Sequence, residues 1–245
     1  MAEFGGNKMK IALASARIVN RDIRYNLSQI ERWMVDAQKE GAELVCFGET
    51  FLQGFDSLSW SFENDRTMAI SSDSNMFAEI CRMSMKHGID VLFGYVELDG
   101  DSLYSSCALI SGGKLHHNYR RISKGWKEYS KTDEHYREGD TVEVFHYKGK
   151  KYVIGLCGDL WDYPERFDLG EDLLFWPVYV SWTVEEWENG SKAEYTEQAG
   201  KCCPNTLYIN SICECDALGG AVFFEKGTVR KELSINNEGL LFIEI

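Results

Sequence analysis

Three segments of the chain carry an apolar run onto a residue that a core does not need. In Leu44-Val45-Cys46-Phe47-Gly48-Glu49-Thr50-Phe51-Leu52 an acid stands directly after a strand-like run and before more apolar residues. A buried acid needs a partner or a task; taken alone, capping the next segment satisfies it. In Val153-Ile154-Gly155-Leu156-Cys157-Gly158-Asp159-Leu160-Trp161 a cysteine closes the run and a glycine and an acid follow. A free cysteine is commonly a small core hydrophobe. At a strand end, however, with Gly158 opening a new turn, backbone N–H groups can be directed at whatever the thiol attacks, which is the setting of a nucleophile. The third segment is basic, Tyr119-Arg120-Arg121-Ile122-Ser123-Lys124-Gly125-Trp126-Lys127-Glu128. By itself it reads as a solvated face, but Trp126 and the later Glu134, in Asp133-Glu134-His135-Tyr136-Arg137-Glu138-Gly139, give it more specific character.

The elements that must position these residues follow from periodicity. Lys10 to Ala14 reads as a strand, and Leu27, Ile30, Met34 and Ala37 then recur at helical spacing up to Gly41, a C-terminal cap. Glu43 to Phe47 is a short apolar run of the kind buried on both faces of a sheet. A second helix is predicted from about Asn75 to His87, with Phe77, Ile80 and Ser84 on one line, Met76 and Met83 beside it, and Gly88 closing it. Strands over Ile89–Leu98, Leu103–Ile110 and Lys114–Ile122 are joined by Asp99-Gly100-Asp101 and Ser111-Gly112-Gly113, the turn chemistry of consecutive hairpins. Val142–His146 and Lys151–Leu156 are again strands, the second delivering Cys157. After them come a helical turn near Pro164, a strand Leu173–Trp176, a helix from Val184 to Cys202, and closing strands Leu207–Ile212, Ala221–Phe224, Val229–Leu233 and Leu240–Ile245. The order is one mixed β/α unit used twice, an α/β arrangement in which two sheets face each other with helices outside.

Composition narrows the classes of function. The 245 residues, 44% of them apolar, suffice for a substantial core. With 26 basic against 39 acidic residues the formal charge is −13, and no Lys/Arg run is present to organise a phosphate-binding face. Nucleic acid and anionic membrane are therefore poor partners. The opening eight residues lack a signal-peptide core and read as a leader or disordered terminus, with Met9 as a natural start and residues 9–245 as one domain. No apolar run approaches the ~20 residues of a membrane span, so the expected location is the cytoplasm. Eight cysteines in a chain of this size without a secretion signal point to reduced thiols. Cys202-Cys203 and Cys213-Glu214-Cys215 hold no Cys-x-x-Cys pair and none of the five histidines lies near them, which argues against zinc.

Together the three segments resemble the nitrilase, or carbon-nitrogen hydrolase, superfamily in its amidase-like branch, and the resemblance spans nearly the whole chain from Met9. The family's glutamate segment, a hydrophobic strand, Pro-Glu and then Thr/Ala-Phe-x-x-Gly-Tyr, stands here as Phe47-Gly48-Glu49-Thr50-Phe51-Leu52-Gln53-Gly54-Phe55, with Gly48 for the proline. Its cysteine segment, Gly-x-x-x-Cys-x-Asp-x-x-x-Pro-Glu, is matched by Gly155-Leu156-Cys157-Gly158-Asp159-Leu160-Trp161-Asp162-Tyr163-Pro164-Glu165, with slightly different spacing. Leu207-Tyr208-Ile209-Asn210-Ser211 is similar to a late strand of the family. The resemblance implies a four-layer α-β-β-α sandwich of two mixed sheets and a catalytic set of glutamate, lysine and cysteine. Cys157 is then the nucleophile, Glu49 the general base and acid, a lysine the oxyanion stabiliser and Glu134 its supporting glutamate. Arg121 stands in the family's lysine slot; arginine cannot shuttle a proton, although it could stabilise an oxyanion. Lys124 is nearer that slot, while Lys127 shares the strand parity of Arg121 and lies seven residues before Glu134; Lys127 is favoured over Lys124. Arg121, Gly158, Trp126, Phe55 and Trp182 are expected around the substrate, with Trp60 and Tyr163 as further aromatic candidates.

The activity implied is thiol-dependent hydrolysis of a non-peptide C–N bond in a small linear amide or N-carbamoyl compound, with no metal or organic cofactor, in a homodimer or larger homo-oligomer. Nitrile hydrolysis and acyl transfer would use the same thioester. A catalytically inactive binding or scaffold protein is the reading that the missing lysine motivates. A papain-like Cys–His hydrolase finds no fitting context in His87, His116, His117, His135 or His146.

Overall fold

The structure, a computed structural model, describes residues 8–214 and 217–245. In the first half, β1 (Lys10–Ser15) and the two-residue β2 (Arg17–Ile18) lead to α1 (Ile23–Lys39), β3 (Leu44–Cys46), the single turn α2 (Phe62–Asp65), α3 (Asn75–His87), β4 (Asp90–Asp99), β5 (Ser102–Ser111) and β6 (Lys114–Arg120). In the second, β7 (Phe145–Tyr147) and β8 (Lys150–Ile154) precede α4 (Asp159–Asp162), β9 (Leu173–Val178), α5 (Val184–Glu186), α6 (Lys192–Cys202), β10 (Asn205–Asn210), β11 (Ile212–Cys213), β12 (Ala221–Glu225), β13 (Thr228–Leu233) and β14 (Gly239–Glu244).

The strands form two six-stranded sheets ordered β14-β1-β3-β4-β5-β6 and β13-β12-β10-β9-β8-β7. Each is parallel in the middle, β1, β3 and β4 in one and β8, β9 and β10 in the other, and antiparallel towards its edges. A short ribbon of β2 and β11 accompanies them. Alternation along the strands sorts the side chains. Ile11, Leu13, Leu44, Cys46, Leu92 and Cys107 point to the core shared with the second sheet, whereas Ala12, Ala14, Val45, Val91 and Phe93 pack under Leu27, Ile30 and Met34 of α1 and Phe77 and Ile80 of α3. The outer face of the second sheet carries Trp176 and Tyr208, which meet Tyr195 of α6 with ring centroids 5.0 and 5.4 Å apart. The layering is therefore α-β-β-α.

Side chains cap the starts of the two long helices of the first half, and the glycine expected to close the second does so. Asp22 accepts from the Tyr25 N–H, Ser74 accepts from the Phe77 N–H, and Gly88 closes α3 at φ +63°. The helix expected as one piece from Val184 to Cys202 starts on a capping box of Thr183 and Glu186 but contains a wide π turn over Trp187–Ser191, where Trp187 stacks on Tyr208 at 5.5 Å. Two strands end earlier than the apolar pattern suggests. The pattern carries β6 to Ile122 and β8 to Leu156, yet the N–H groups of Ile122, Ser123 and Leu156 all leave the sheets for the carboxylate of Asp159. Of the expected leader, residues 1–7 lie outside the described residues; Met9 exchanges backbone hydrogen bonds of 3.0 Å with Ile245.

Candidate active site

Glu49 sits in the bend that follows β3. Its backbone N–H reaches across to the carbonyl of Val178 at the end of β9, 3.2 Å away, so one residue is tied to both sheets. The bend is tight. Thr50 has φ +45°, and a Cβ added to Gly94 of the neighbouring β4 would lie 2.5 Å from the Gly48 oxygen and 2.7 Å from the Glu49 Cα. Gly48, where the family has proline, is equally constrained, because a Cβ there would come 2.6 Å from Ser211 Oγ. The Glu49 side chain is wholly buried. Its Oε1 accepts from Ser105 Oγ at 2.8 Å and from Arg121 Nη1 at 2.9 Å, while its Oε2 has no partner among the described residues.

Cys157 follows β8 in a left-handed backbone conformation, φ +42°, which a non-glycine residue holds only where its surroundings enforce it. Three contacts do so. Its N–H donates to Pro177 O at 3.0 Å, its carbonyl accepts from Trp176 Nε1 at 2.9 Å, and Asp159 holds Leu156 just before it. The thiol, partly buried, faces the carbonyl of Tyr179 at 3.8 Å. Burial and then the charge of Glu49 push its pKa up to about 12, against the opposing pull of Arg121. The thiol is thus protonated at neutral pH and next to a carboxylate with one free oxygen.

The cation beside both groups is Arg121, the residue in the family's lysine slot. Its N–H continues the β5 pairing to Ser105 O at 2.9 Å, its Nε donates to Ser123 Oγ at 2.8 Å, and its Nη1 binds Glu49. Burial works against its charge, but Glu49, Cys157 and Asp159 more than compensate and hold it firmly protonated. Lys124 points into solvent from a short turn over Lys124–Trp126. Lys127 places its ammonium on the carbonyl of Tyr136 and on Glu138, 3.1 Å away. Glu134 is exposed, and only its backbone carbonyl is engaged, by Arg137. The structure therefore brings Glu49, Arg121, Cys157 and Gly158 together and leaves Lys124, Lys127 and Glu134 outside that group. The physical reason is the turn after Ser123, which ends the extended parity that would have aligned Lys127 with Arg121.

The aromatic candidates divide. Phe55 stacks on Tyr179, whose carbonyl faces the thiol, at 4.8 Å and 6°. Trp182 is partly buried at the edge of the Trp176–Tyr195 layer, 6.5 Å from Tyr195. Trp126 is buried in a separate small core with Phe62, Val96, Leu103 and Tyr136. Sequence reasoning missed Ser105 and Ser123, which hold Glu49 and Arg121, and the part played by Asp159 and Tyr119. Asp159 is fully buried and accepts four hydrogen bonds: from Ile122 N at 3.0 Å, Ser123 N at 2.7 Å, Tyr119 Oη at 2.7 Å and Leu156 N at 2.8 Å. It clamps the cysteine turn to the arginine loop. Its signal was present as an acid two residues after the cysteine, and that of Ser105 as one of the paired hydroxyls Ser105-Ser106 within a buried strand. Among the described residues no group of three or more His, Cys, Asp or Glu side chains is placed to hold a metal ion; Cys215 lies outside them.

The family profile described as carbon-nitrogen hydrolase matches residues 10–167, which include Glu49, Ser105, Arg121, Cys157 and Asp159. The chain belongs to the carbon-nitrogen hydrolase family. This carbon-nitrogen hydrolase is 29% identical over 116 residues to an arylacetonitrilase of Aspergillus niger, an alignment covering 44% of this chain and 34% of that protein. It is 23% identical over 252 aligned positions to a glutamine-dependent NAD(+) synthetase of Thermotoga maritima, covering 97% of this chain and 41% of the relative. The matches thus span only about a third to two fifths of these curated relatives' lengths. In fold, an amidase from Nesterenkonia sp. superposes with a TM-score of 0.79 at 19% identity, covering 98% of this chain and 91% of that one.

Proposed function

We propose that this carbon-nitrogen hydrolase cleaves the C–N bond of a small linear amide or N-carbamoyl compound through a thioester on Cys157, with Glu49 carrying the protons. The observation that supports this reading best is the wholly buried Glu49 carboxylate, pinned through Oε1 and free at Oε2, whose charge acts directly on the thiol of Cys157. With a thiol pKa of about 12 the nucleophile needs a base at the moment of attack. Glu49 takes the thiol proton as sulfur bonds to the carbonyl carbon. It returns that proton to the nitrogen as the C–N bond breaks and the amine or ammonia departs. Water then attacks the thioester, Glu49 accepts the water's proton and hands it to the leaving sulfur, and the acid is released. Protons balance over the two halves without a cofactor.

The same thioester would serve nitrile hydrolysis, which the arylacetonitrilase relative keeps open, and transfer to an acceptor other than water. A cytoplasmic homodimer or larger homo-oligomer completes the reading, on the family resemblance, and sedimentation checks its assembly.

The test is intact-mass trapping. Wild type and Glu49→Gln are incubated with propionamide, N-carbamoylglycine, L-glutamine and phenylacetonitrile, and the adduct is mapped. An acyl adduct on Cys157 is expected in wild type quenched with acid during turnover, and far less of it in Glu49→Gln, which lacks the group that takes the thiol proton and returns it to the nitrogen. Turnover that survives Cys157→Ala would sink the proposal, and binding without any turnover would favour the inactive scaffold reading.

A further inference from the structure

The guanidinium of Arg121 is held on two of its three nitrogens. Nε is fixed by Ser123 and Nη1 by Glu49, while Nη2 has no hydrogen-bond partner among the described residues. The side chain is only 3% exposed, so this is a buried charged group with an unused donor edge. Nη2 lies over Gly158, the residue that follows the nucleophile. A Cβ on Gly158 would come 2.7 Å from Nη2, and a Cβ on Gly125 would come 3.0 Å from the same atom. Gly158 has φ −66°, an ordinary conformation for any residue, so its lack of a side chain is not a demand of the backbone. The missing Cβ atoms make room for the fork of an arginine, which is wider than a lysine ammonium.

We propose that Arg121 is itself the oxyanion-binding catalytic residue, donating from Nη2 to the oxygen of the tetrahedral intermediate formed on Cys157, and that Gly158 and Gly125 are the space that lets arginine serve where relatives use lysine. The assignment rests on the reading of Cys157 and Glu49 above. One guanidinium then does two things at once: Nη1 orients the base and Nη2 receives the developing charge. A lysine ammonium has three donors but presents them from a single nitrogen, whereas the guanidinium fork spreads the two tasks over two nitrogens in a fixed plane. The guanidinium also stays charged throughout the working pH range, whereas a lysine can lose its proton. The charged or titratable groups facing it are Glu49, Cys157 and Asp159, with the phenols of Tyr119 and Tyr129 further off.

The experiment uses whichever of the probe compounds forms the Cys157 adduct in wild type, and measures kcat, KM and the pH–rate profile of Arg121→Lys, Arg121→Ala and Gly158→Ala, with thermal melts to establish folding. Arg121→Lys is expected to lose on the order of a hundred- to a thousandfold in kcat, the effect of one oxyanion donor, with kcat/KM falling in step, and to gain an alkaline limb absent from wild type. Folded Arg121→Ala is expected to recover part of its rate with added methylguanidinium and none with methylammonium. Gly158→Ala, whose Cβ displaces Nη2, is expected to lose about a hundredfold. Arg121→Lys with wild-type kcat and pH profile overturns the assignment while leaving the hydrolase reading intact. So does a folded Arg121→Ala that methylguanidinium does not rescue. If wild type forms no adduct with any probe, the hydrolase reading fails and the assignment falls with it.

Discussion

Asp159→Asn removes one charge from the clamp between the cysteine turn and the arginine loop, and its cost can be worked from the four hydrogen bonds that Asp159 accepts. The Asn oxygen can keep one pair, Ile122 N and Ser123 N on the Oδ1 side. Its NH2 group then faces the Tyr119 hydroxyl and the Leu156 N–H, the donors that Oδ2 had satisfied. The hydroxyl can rotate and accept, but the Leu156 N–H cannot, so one buried donor is orphaned, at about 1–3 kcal/mol. The two bonds that remain lose their charge assistance, roughly halving them. Relief comes from the other direction, because burial raises the pKa of Asp159 and Asn carries no charge to desolvate. The net expectation is a loss of about 2–3 kcal/mol, from the typical 5–15 kcal/mol of a folded domain. Urea unfolding should show it as a lower midpoint at unchanged slope. Because Leu156 precedes the nucleophile and Ser123 holds the Arg121 Nε, kcat should fall more than KM rises. A midpoint shift equivalent to less than about 0.5 kcal/mol, the range of an ordinary surface change, would refute the clamp.

Three further outcomes are expected. Glu49→Gln removes the negative charge that raises the Cys157 pKa while leaving Arg121 to lower it, so the pKa falls from about 12. Iodoacetamide should alkylate Cys157 faster at pH 9 in this variant, even as amide turnover drops by roughly a hundred- to ten-thousandfold with the loss of the acid–base group; slower alkylation contradicts the electrostatic reading. Gly94→Ala drives a Cβ into the backbone of Gly48 and Glu49, and an overpacking cost of about 1–3 kcal/mol in urea unfolding is expected. Lys127→Ala gives up the contacts to Tyr136 O and Glu138 and should loosen the loop without removing turnover. A kcat loss as large as that of Arg121→Lys would return the cationic role to Lys127.

The fold was legible because its signals are local. Alternating or continuous apolar runs, the helix-closing Gly41 and Gly88 and the glycine turns mark nearly every large element, and the doubled order of strands and helices marks the layers. Cys157, the proposed nucleophile, and the buried Glu49 were picked out too, as polar residues that end apolar runs. The partner of Glu49 was not. Lys127 and Glu134 were read by counting along an extended chain, and the count fails at Ser123, whose N–H is drawn to Asp159 instead of to a strand. A turn created by a side chain 36 residues away leaves no periodic trace in the segment that turns. Ser105 was hidden for a similar reason: a serine in a strand signals a buried acceptor somewhere, and only the tertiary structure names it as Glu49.

The convergence of these residues follows from strand direction. In the first sheet β3 and β4 run parallel, β5 returns, and β6 runs with β3 again. The chain therefore leaves β3 at Glu49 and β6 at Arg121 along one edge, although the two lie 72 residues apart in sequence. Facing it, β8 and β9 run parallel and release Cys157 and Tyr179 along one edge of their own sheet. The Glu49 N–H bond to Val178 O joins the two edges. Carboxyl ends of parallel strands are where such sheets place ligands, and here one sheet supplies the proposed base, Glu49, with its cation and the other supplies the proposed nucleophile, Cys157. Neither sheet alone holds a catalytic set. The Arg121–Glu49 pair, at 2.9 Å and with both side chains buried, would be a costly buried charge pair without a task. In the proposed mechanism it has one: Arg121 holds Oε1 and leaves Oε2 to take the proton of the opposing sheet's thiol.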